Sequence, residues 1–217
     1  MPRLIDPSLK RLSFTMGQMG NMAIKGMGLA MESFVSGANT KAECGEVSDA
    51  ITRQYFEVED LTFEILLKYQ PMARDFRFIR SSIEISYAFL RFGRYAYDIT
   101  LIRDSFGDIT RCGNSRLEDS FRLVERMIRE AVHSFAALDL DKARHVQAQE
   151  AMTDAIYRER MPALLQSNDI KCALAEALLL RYLERIADHA LFMSDSIAYI
   201  VTGKHSLRQP APRSYGV

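Results

Sequence analysis

The chain has 217 residues, 48% of them hydrophobic, enough apolar material for one large core or two small ones, which argues against disorder. Its 28 basic and 28 acidic residues cancel, so the basic excess of a nucleic-acid binder is missing. The N-terminus MPRLIDPSLK has no apolar signal core, and the most apolar run, CALAEALLL, contains Glu176 and falls far short of the roughly 18 residues of a membrane span, so a soluble protein is expected.

Helix signals follow in chain order. Asp6 before Pro7 makes an N-cap and N1 pair. Leu9, Leu12, Met16, Met19, Ala23, Met27, Ala30 and Phe34 then step by three and four along one amphipathic helix, closed by Ser36-Gly37-Ala38-Asn39. Thr40 with Glu43 has capping-box spacing and opens a second helix to about Tyr69, where Gln70-Pro71 breaks it. A third carries Phe76, Ile79, Ile83, Leu90, Tyr97 and Leu101 on one stripe, and Gly107 to Asn114 reads as a loop. Ser115 and Glu118 start a fourth helix, with Leu117, Phe121, Val124, Ile128, Ala131, Phe135 and Leu138 on its apolar side. Asp139 opens a fifth that ends near Gln166-Ser167-Asn168, and a sixth runs from about Asp169 to Thr202 and stops at Gly203. Cys44, Cys112 and Cys172 are odd in number, far apart and without a CxxC pair, so neither a disulfide framework nor a thiolate zinc site is expected, and a reducing cytoplasm suits them.

FLRFGRYA, residues 89–96, aligns with LERIADHA, residues 183–190, at a shift of 94, placing Arg91 on Arg185, Gly93 on Ala187 and Ala96 on Ala190. With three helices on either side of the 107–114 loop, the expected fold is all-α, two tandem three-helix bundles over residues 1–107 and 114–203. The polar tail 204–217, with two prolines, is expected to be disordered.

Two acidic pairs need a physical reason. Glu184 and Asp188 stand four apart on the sixth helix and share a face with Ala173, Ala177, Leu180 and Leu191. Glu150 and Asp154 repeat that spacing on the fifth, within about 60° of Ala143, Val146, Tyr157, Met161 and Leu164. Carboxylates buried without partners are costly, and four together repel. Arg181 and Arg185 are near in sequence but lie toward the edge of the stripe. A divalent or trivalent metal held by Glu150, Asp154, Glu184 and Asp188 is an economical answer. Hard oxygen ligands admit iron, manganese, magnesium, calcium or zinc. A helix register that turns all four acids to solvent is the alternative.

YLERIADHALFMSDSIAYIVTG resembles the closing helix of PhoU-like phosphate-uptake regulators, whose hallmark is a repeated E/D-x-x-x-D motif, here Glu184 to Asp188; Glu150 and Asp154 match the acids of the preceding helix. YQPMARDFRFIR, residues 69–80, resembles the family's Q-P-x-A-x-D-L-R turn through Gln70, Pro71, Ala73, Asp75 and Arg77, and the likeness spans residues 8 to 205. It implies six helices in two repeats, metal bound at the bundle surface, and a homodimer. It further implies a cytoplasmic regulator that holds down phosphate uptake by contacting the ATPase side of a phosphate ABC transporter and a membrane sensor histidine kinase. The first repeat departs from the pattern: Leu90 and Arg94 stand where Glu184 and Asp188 stand in the twin, and Ser48 and Thr52 replace the partner acids. Leucine cannot ligate and a guanidinium carries a fixed positive charge. Metal binding is therefore expected in the second repeat alone, with Arg94 paired to a nearby acid or reaching water.

Other features are weaker. Met16, Met19 and Met22 have thioether copper spacing, but two of them lie on the core stripe, where methionine fills gaps. Glycines 17, 20, 26 and 28 in a helix suggest close approach of another helix. Glu130 and His133 have the E-x-x-H spacing of ferritin-like di-iron proteins, but only once and opposite the apolar stripe, so a solvated face is expected. His189 beside Asp188 is turned about 100° from it. Arg74, Arg77 and Arg80 form a basic strip expected to be solvated. No Ser/His/Asp or Cys/His set or P-loop argues for an enzyme. A metal-containing regulatory adaptor is the preferred reading, with a di-iron carboxylate protein and a plain helical scaffold as alternatives.

Overall fold

A computed structural model describes residues 3–112 and 115–205. Among them lie six helices: α1 (Asp6–Ser36), α2 (Lys41–Tyr69), α3 (Ala73–Phe106), α4 (Ser115–Ala137), α5 (Leu140–Leu164) and α6 (Ile170–Thr202). A single 3-10 turn, Thr110–Cys112, sits in the connection between α3 and α4. No described residue is in a strand, and no helix is long and apolar enough to cross a membrane. Residues 206–217, most of the expected disordered tail, lie outside the described residues.

Helices α1, α2 and α3 pack against one another, as do α4, α5 and α6. The halves meet where α3 lies on α6 and α1 on α4. Helix α3 runs antiparallel to α6, since Tyr95 lies 5.9 Å from Tyr182 while the Arg77 guanidinium donates to the Ile200 carbonyl at 3.2 Å. One apolar core runs through both halves, bridged by stacking of Phe34 on Phe121 at 5.7 Å and of Phe78 on Phe135 at 5.9 Å.

The three-and-four stepping of α1 becomes a buried stripe of Leu12, Met16, Met19, Ala23, Met27, Ala30 and Phe34. Met16 and Met19 are therefore core residues. Close approach is real at Gly20, where a Cβ would fall 2.9 Å from Val132 Cγ1 of α4, and at Gly26, where it would touch Val47 at 3.4 Å. At Gly17 and Gly28 a Cβ would meet nothing within 4 Å, and no contact accounts for them. Left-handed Gly37 (φ 71°) and Gly203 (φ 76°) close α1 and α6, a conformation that suits glycine at a helix end.

Four expectations are corrected. Asp6 lies inside α1 rather than capping it, because its carboxylate is taken by Arg3 just upstream, whose backbone N donates at 2.7 Å. Thr40 is the N-cap of α2 without the capping box. Its hydroxyl donates to Leu29 O at 2.8 Å and Glu43 pairs with Lys25 at 2.7 Å, so both tie α2 to α1 instead. The buried face of α3 is Ile79, Ile85, Phe89, Phe92, Ala96 and Ile99, while Ile83, Leu90, Tyr97 and Leu101 are half-buried and Phe76 is exposed. A helix that packs on α1, α2 and α6 at once buries more than one stripe, and polar Ser82 and Ser86 share its buried side. Finally, Cys112 and Cys172 form a disulfide. Their sequence separation of 60 conceals that the end of α3 and the start of α6 share one end of the molecule, bringing the two Cα atoms to 5.0 Å. The inference from cysteine usage to a reducing compartment falls with it.

Candidate metal centre

Helices α5 and α6 are both started by aspartates. The Asp139 carboxylate accepts from Asp141 N at 3.0 Å and Lys142 N at 3.1 Å, and Asp169 accepts from Cys172 N at 3.0 Å. Each satisfies amides left over at a helix N-terminus. The two helices pack along their length, and their register is marked by an ion pair that the sequence did not suggest: Arg160 of α5 reaches Glu176 of α6 at 2.6 Å, with the Glu176 side chain only 7% exposed. The same antiparallel register, carried along the helices, brings Glu150 and Asp154 against Asp188 and Glu184.

The four acids do share one surface. Burial raises the Glu150 carboxyl above the usual range, and repulsion from Asp154, Asp188 and Glu184 adds to the shift. Glu184 is raised first by burial and then by Asp188, against the pull of Arg181 and Arg185. The acids do not point into the core, however. The buried side of α6 is Leu179, Leu180, Leu183, Ile186, Ala187 and Ala190. Of the four apolar residues expected beside the acids only Leu180 belongs to it; Ala173, Ala177 and Leu191 flank it half-buried, like Glu184 and Asp188. The apolar side of α6 is broad enough that its edge reads as its centre.

The arginines at the edge of the stripe are partners of the α6 acids. Arg181 pairs with Glu184 at 2.7 Å, and Arg185 with Asp188 at 3.3 Å and with Glu184 at 3.8 Å. The α5 acids differ: among the described residues neither Glu150 nor Asp154 has an ion pair within 4 Å. The cluster is thus half compensated. No three His, Cys, Asp or Glu side chains among the described residues are already gathered as a ligand cage. The donor set nevertheless fits a hard cation, since four carboxylates with excess negative charge present only oxygen ligands.

His189 turns away from this surface, as its spacing implied, and wedges between α6 and α3 near Tyr87 at 5.8 Å and Tyr95 at 6.1 Å. Burial, with help from Arg91 and Arg185, lowers its pKa to about 4, so it is neutral there.

The first half lacks a counterpart. Ser48 is buried and Thr52 donates its hydroxyl to Ser48 O at 2.9 Å. Leu90 is half-buried, and Arg94, with its side chain 58% exposed, pairs with Asp98 at 3.2 Å. Arg94 therefore both finds an acid and reaches water, as expected. Elsewhere, His133 is exposed, but Glu130 is not merely solvated: it accepts from Gln149 Nε2 at 2.9 Å and meets His145 Nδ1 at 2.7 Å, stapling α4 to α5. The strip Arg74, Arg77, Arg80 is solvated only at Arg74; Arg77 binds the Ile200 carbonyl, and Arg80 pairs with Glu84 at 3.0 Å.

The class is now defined: an all-α bundle of two three-helix halves, with an acid pair on each of two adjacent helices of the second half alone. The chain belongs to the PhoU family, whose domain model matches residues 16–102 and again residues 117–197. It is 26% identical over 208 residues to the phosphate-specific transport system accessory protein PhoU homolog of Synechocystis, covering 92% of both chains. It is 25% identical over 218 residues to the homolog of Clostridium acetobutylicum, covering 93% of this chain and 96% of that one. The crystal structure of PhoU from Pseudomonas aeruginosa superposes with a TM-score of 0.85 over 92% of this chain and all of that one, at 23% identity, a likeness of fold.

Proposed function

We propose that this chain is a regulatory adaptor of phosphate uptake, not an enzyme, and that its second half binds a metal ion through Glu150, Asp154, Glu184 and Asp188. The reading is supported by membership of the PhoU family on both halves, together with relatives named as accessory proteins of phosphate-specific transport. In it, the chain acts in the cytoplasm as a homodimer, at the inner face of the membrane through its partners. It contacts the ATPase of a phosphate ABC transporter and a sensor histidine kinase, and restrains uptake and the starvation response when phosphate is plentiful.

The observation that carries the metal is the half-compensated acid cluster. Glu150 is held above its usual range by burial and by three neighbouring carboxylates, which Arg158 offsets only in part, while the ion-paired arginines lie on the α6 side. A bound cation would supply the missing positive charge and pin α5 to α6. A repulsive patch would become an ordered surface on which a partner could dock. Iron, manganese, magnesium, calcium and zinc share the required preference for oxygen. Elemental analysis of protein purified without chelator tests this directly: the parent is expected to carry metal, and the quadruple alanine variant to remain folded and lose it. Full metal content in that variant would place the metal elsewhere. A pull-down from phosphate-replete cells, comparing parent and variant, tests the transporter and kinase contacts.

A further inference from the structure

Away from the acid cluster, at the seam of the two halves, a cleft of about 530 Å³ opens between α2, α3 and α6. Its walls are rings in unbroken succession. Tyr55 of α2 lies 6.4 Å from Tyr87 of α3, Tyr87 lies 5.8 Å from His189 of α6, and His189 lies 6.1 Å from Phe192 one turn on. Tyr87 and Phe192 are 45% and 44% exposed, unusual for large rings at the junction of two packed bundles. Ile83 and Ala88 complete the apolar floor. The charges around it are answered. Glu84 accepts from Ser196 Oγ at 2.8 Å and is met by Arg80 at 3.0 Å. Asp195 is met by His205 Nδ1 at 3.0 Å and keeps a further interaction, and Arg91 and Arg185 both act on His189. What the cleft offers an occupant is therefore ring surface rather than net charge. The chain itself leads into it: His205, the last described residue, lines the cleft and stacks on Tyr199 at 4.2 Å.

We propose that this cleft is the dock for the chain's own segment Gln209–Arg213, held through Pro210 and Pro212 against the rings. Residues 206–217 read SLRQPAPRSYGV, so the sequence that follows the cleft wall is proline-bearing and, at its centre, uncharged. Aromatic-lined grooves take proline-rich segments because proline has already fixed its backbone, so little conformational freedom is lost on binding. Such a segment rises about 3.1 Å per residue, which sets Pro210 and Pro212 about 6 Å apart. Successive rings of the cleft are 5.8 to 6.4 Å apart, the same interval. The tether is short. Pro210 follows His205 by five residues, a reach of up to about 17 Å. A segment so tethered meets the cleft at an effective concentration on the order of millimolar, so a weak contact suffices. Docking would cover Tyr87 and Phe192, the rings left open to water. Because α3 supplies one wall and α6 the other, the segment would touch both halves at once.

The test is NMR on the full chain with ring-labelled tyrosine and phenylalanine, comparing the parent with the double variant Pro210→Ser, Pro212→Ser. The Tyr87 and Phe192 ring signals, assigned through Tyr87→Leu and Phe192→Leu, are expected to shift in the double variant and to show contacts with proline δ protons in the parent alone. A synthetic SLRQPAPRSYGV peptide should bind the double variant saturably, one per chain, and the parent at least tenfold more weakly, because the tethered segment holds the cleft. Tyr87→Leu added to the double variant should weaken the peptide about tenfold. Circular dichroism melts establish that each variant is folded. Ring signals that do not move in the double variant overturn the proposal, and so does equal treatment of the peptide by parent and double variant. If the proline–ring contacts appear between differently labelled chains and fade on dilution, the occupant comes from a second copy and the assignment within one chain is wrong. If Tyr215→Ser moves the ring signals and the double variant does not, the docked residue is Tyr215 and the assignment to Gln209–Arg213 fails too.

Discussion

The ion pair between Arg160 and Glu176 fixes how α5 and α6 face each other, and its removal has a calculable cost. The Glu176 side chain is 7% exposed and that of Arg160 23%, with N and O 2.6 Å apart, so the pair is shielded from water. Arg160→Leu keeps the apolar stem but leaves a carboxylate buried without its guanidinium. Breaking a buried pair from one side costs about 3–5 kcal/mol, whereas replacing both charges with apolar groups is often neutral. Glu176 keeps a further interaction, which sets the expectation at the lower end, about 3 kcal/mol. In a chain of this size that lowers Tm by roughly 6–12 °C. The assay is a double-mutant cycle by urea denaturation at neutral pH with Arg160→Leu, Glu176→Leu and the double variant. The double variant should recover most of what Arg160→Leu loses. The same register aligns the four acids, so Arg160→Leu should also weaken metal binding without touching a ligand. A loss below about 1 kcal/mol, or a double variant no better than the single one, would refute the view of this pair as a buried clamp.

Glu150 gives a prediction whose sign follows from its raised pKa. Its proton is held more tightly folded than unfolded, so the ionised carboxylate opposes folding above the raised pKa, and that penalty disappears as pH falls through it. Without metal, Glu150→Gln should therefore be more stable than the parent at neutral pH and equal to it in acid, as urea midpoints at the two pH values will show; with metal the order at neutral pH should reverse. Reducing Cys112–Cys172 opens a 60-residue loop, worth about 4 kcal/mol on chain-entropy grounds, so dithiothreitol should lower Tm while far-UV helicity at room temperature stays unchanged. Gly17→Ala should stabilise by up to about 1 kcal/mol, since helix propensity gains and nothing is touched. Gly20→Ala should forfeit that gain against Val132 2.9 Å away, and equal melting curves for the two would contradict the close α1–α4 approach. Leu90→Glu with Arg94→Asp should not raise metal stoichiometry, because Ser48 and Thr52 offer no carboxylate opposite; anomalous scattering from an iron- or manganese-soaked crystal should show a peak in the second half only.

The fold was legible because its signals are local. Helix α5 starts where Asp139 says it should, and α6 starts at Asp169 and stops at Gly203, since a cap is a contact between residues two to four apart. The apolar stripe of α4 is buried from Leu117 to Phe135 as its spacing implies. Helix α3 defeated the same method because it has neighbours on several sides, so one stripe cannot describe its burial, and the serines at 82 and 86 hide its packed face from a reading by hydropathy. The capping box at Thr40 failed for a related reason: Leu29 and Lys25 of α1 compete for the same side chains, and no spacing within α2 announces them. The Cys112–Cys172 bond is wholly a product of topology, invisible until α3 and α6 are known to be antiparallel.

At the acid cluster the sequence supplied the residues but not the charge balance. Spacing by four places Glu150 with Asp154 and Glu184 with Asp188 on common faces, and only tertiary register decides that the two faces meet. Which arginines answer them depends on side-chain reach: Arg181 and Arg185 lie three residues before Glu184 and Asp188, near enough to bend back, while Arg158 lies four residues beyond Asp154 and gives its Nε to the Asp154 carbonyl at 3.3 Å instead. Arg158 still offsets part of the repulsion at Glu150, but among the described residues it makes no ion pair with either α5 acid. In the first half the same faces carry Leu90, Arg94, Ser48 and Thr52, and the pairing of Arg94 with Asp98 one turn on shows the charge problem solved within a single helix. The second half instead leaves Glu150 facing three carboxylates, and that difference makes the second repeat the place to test for metal.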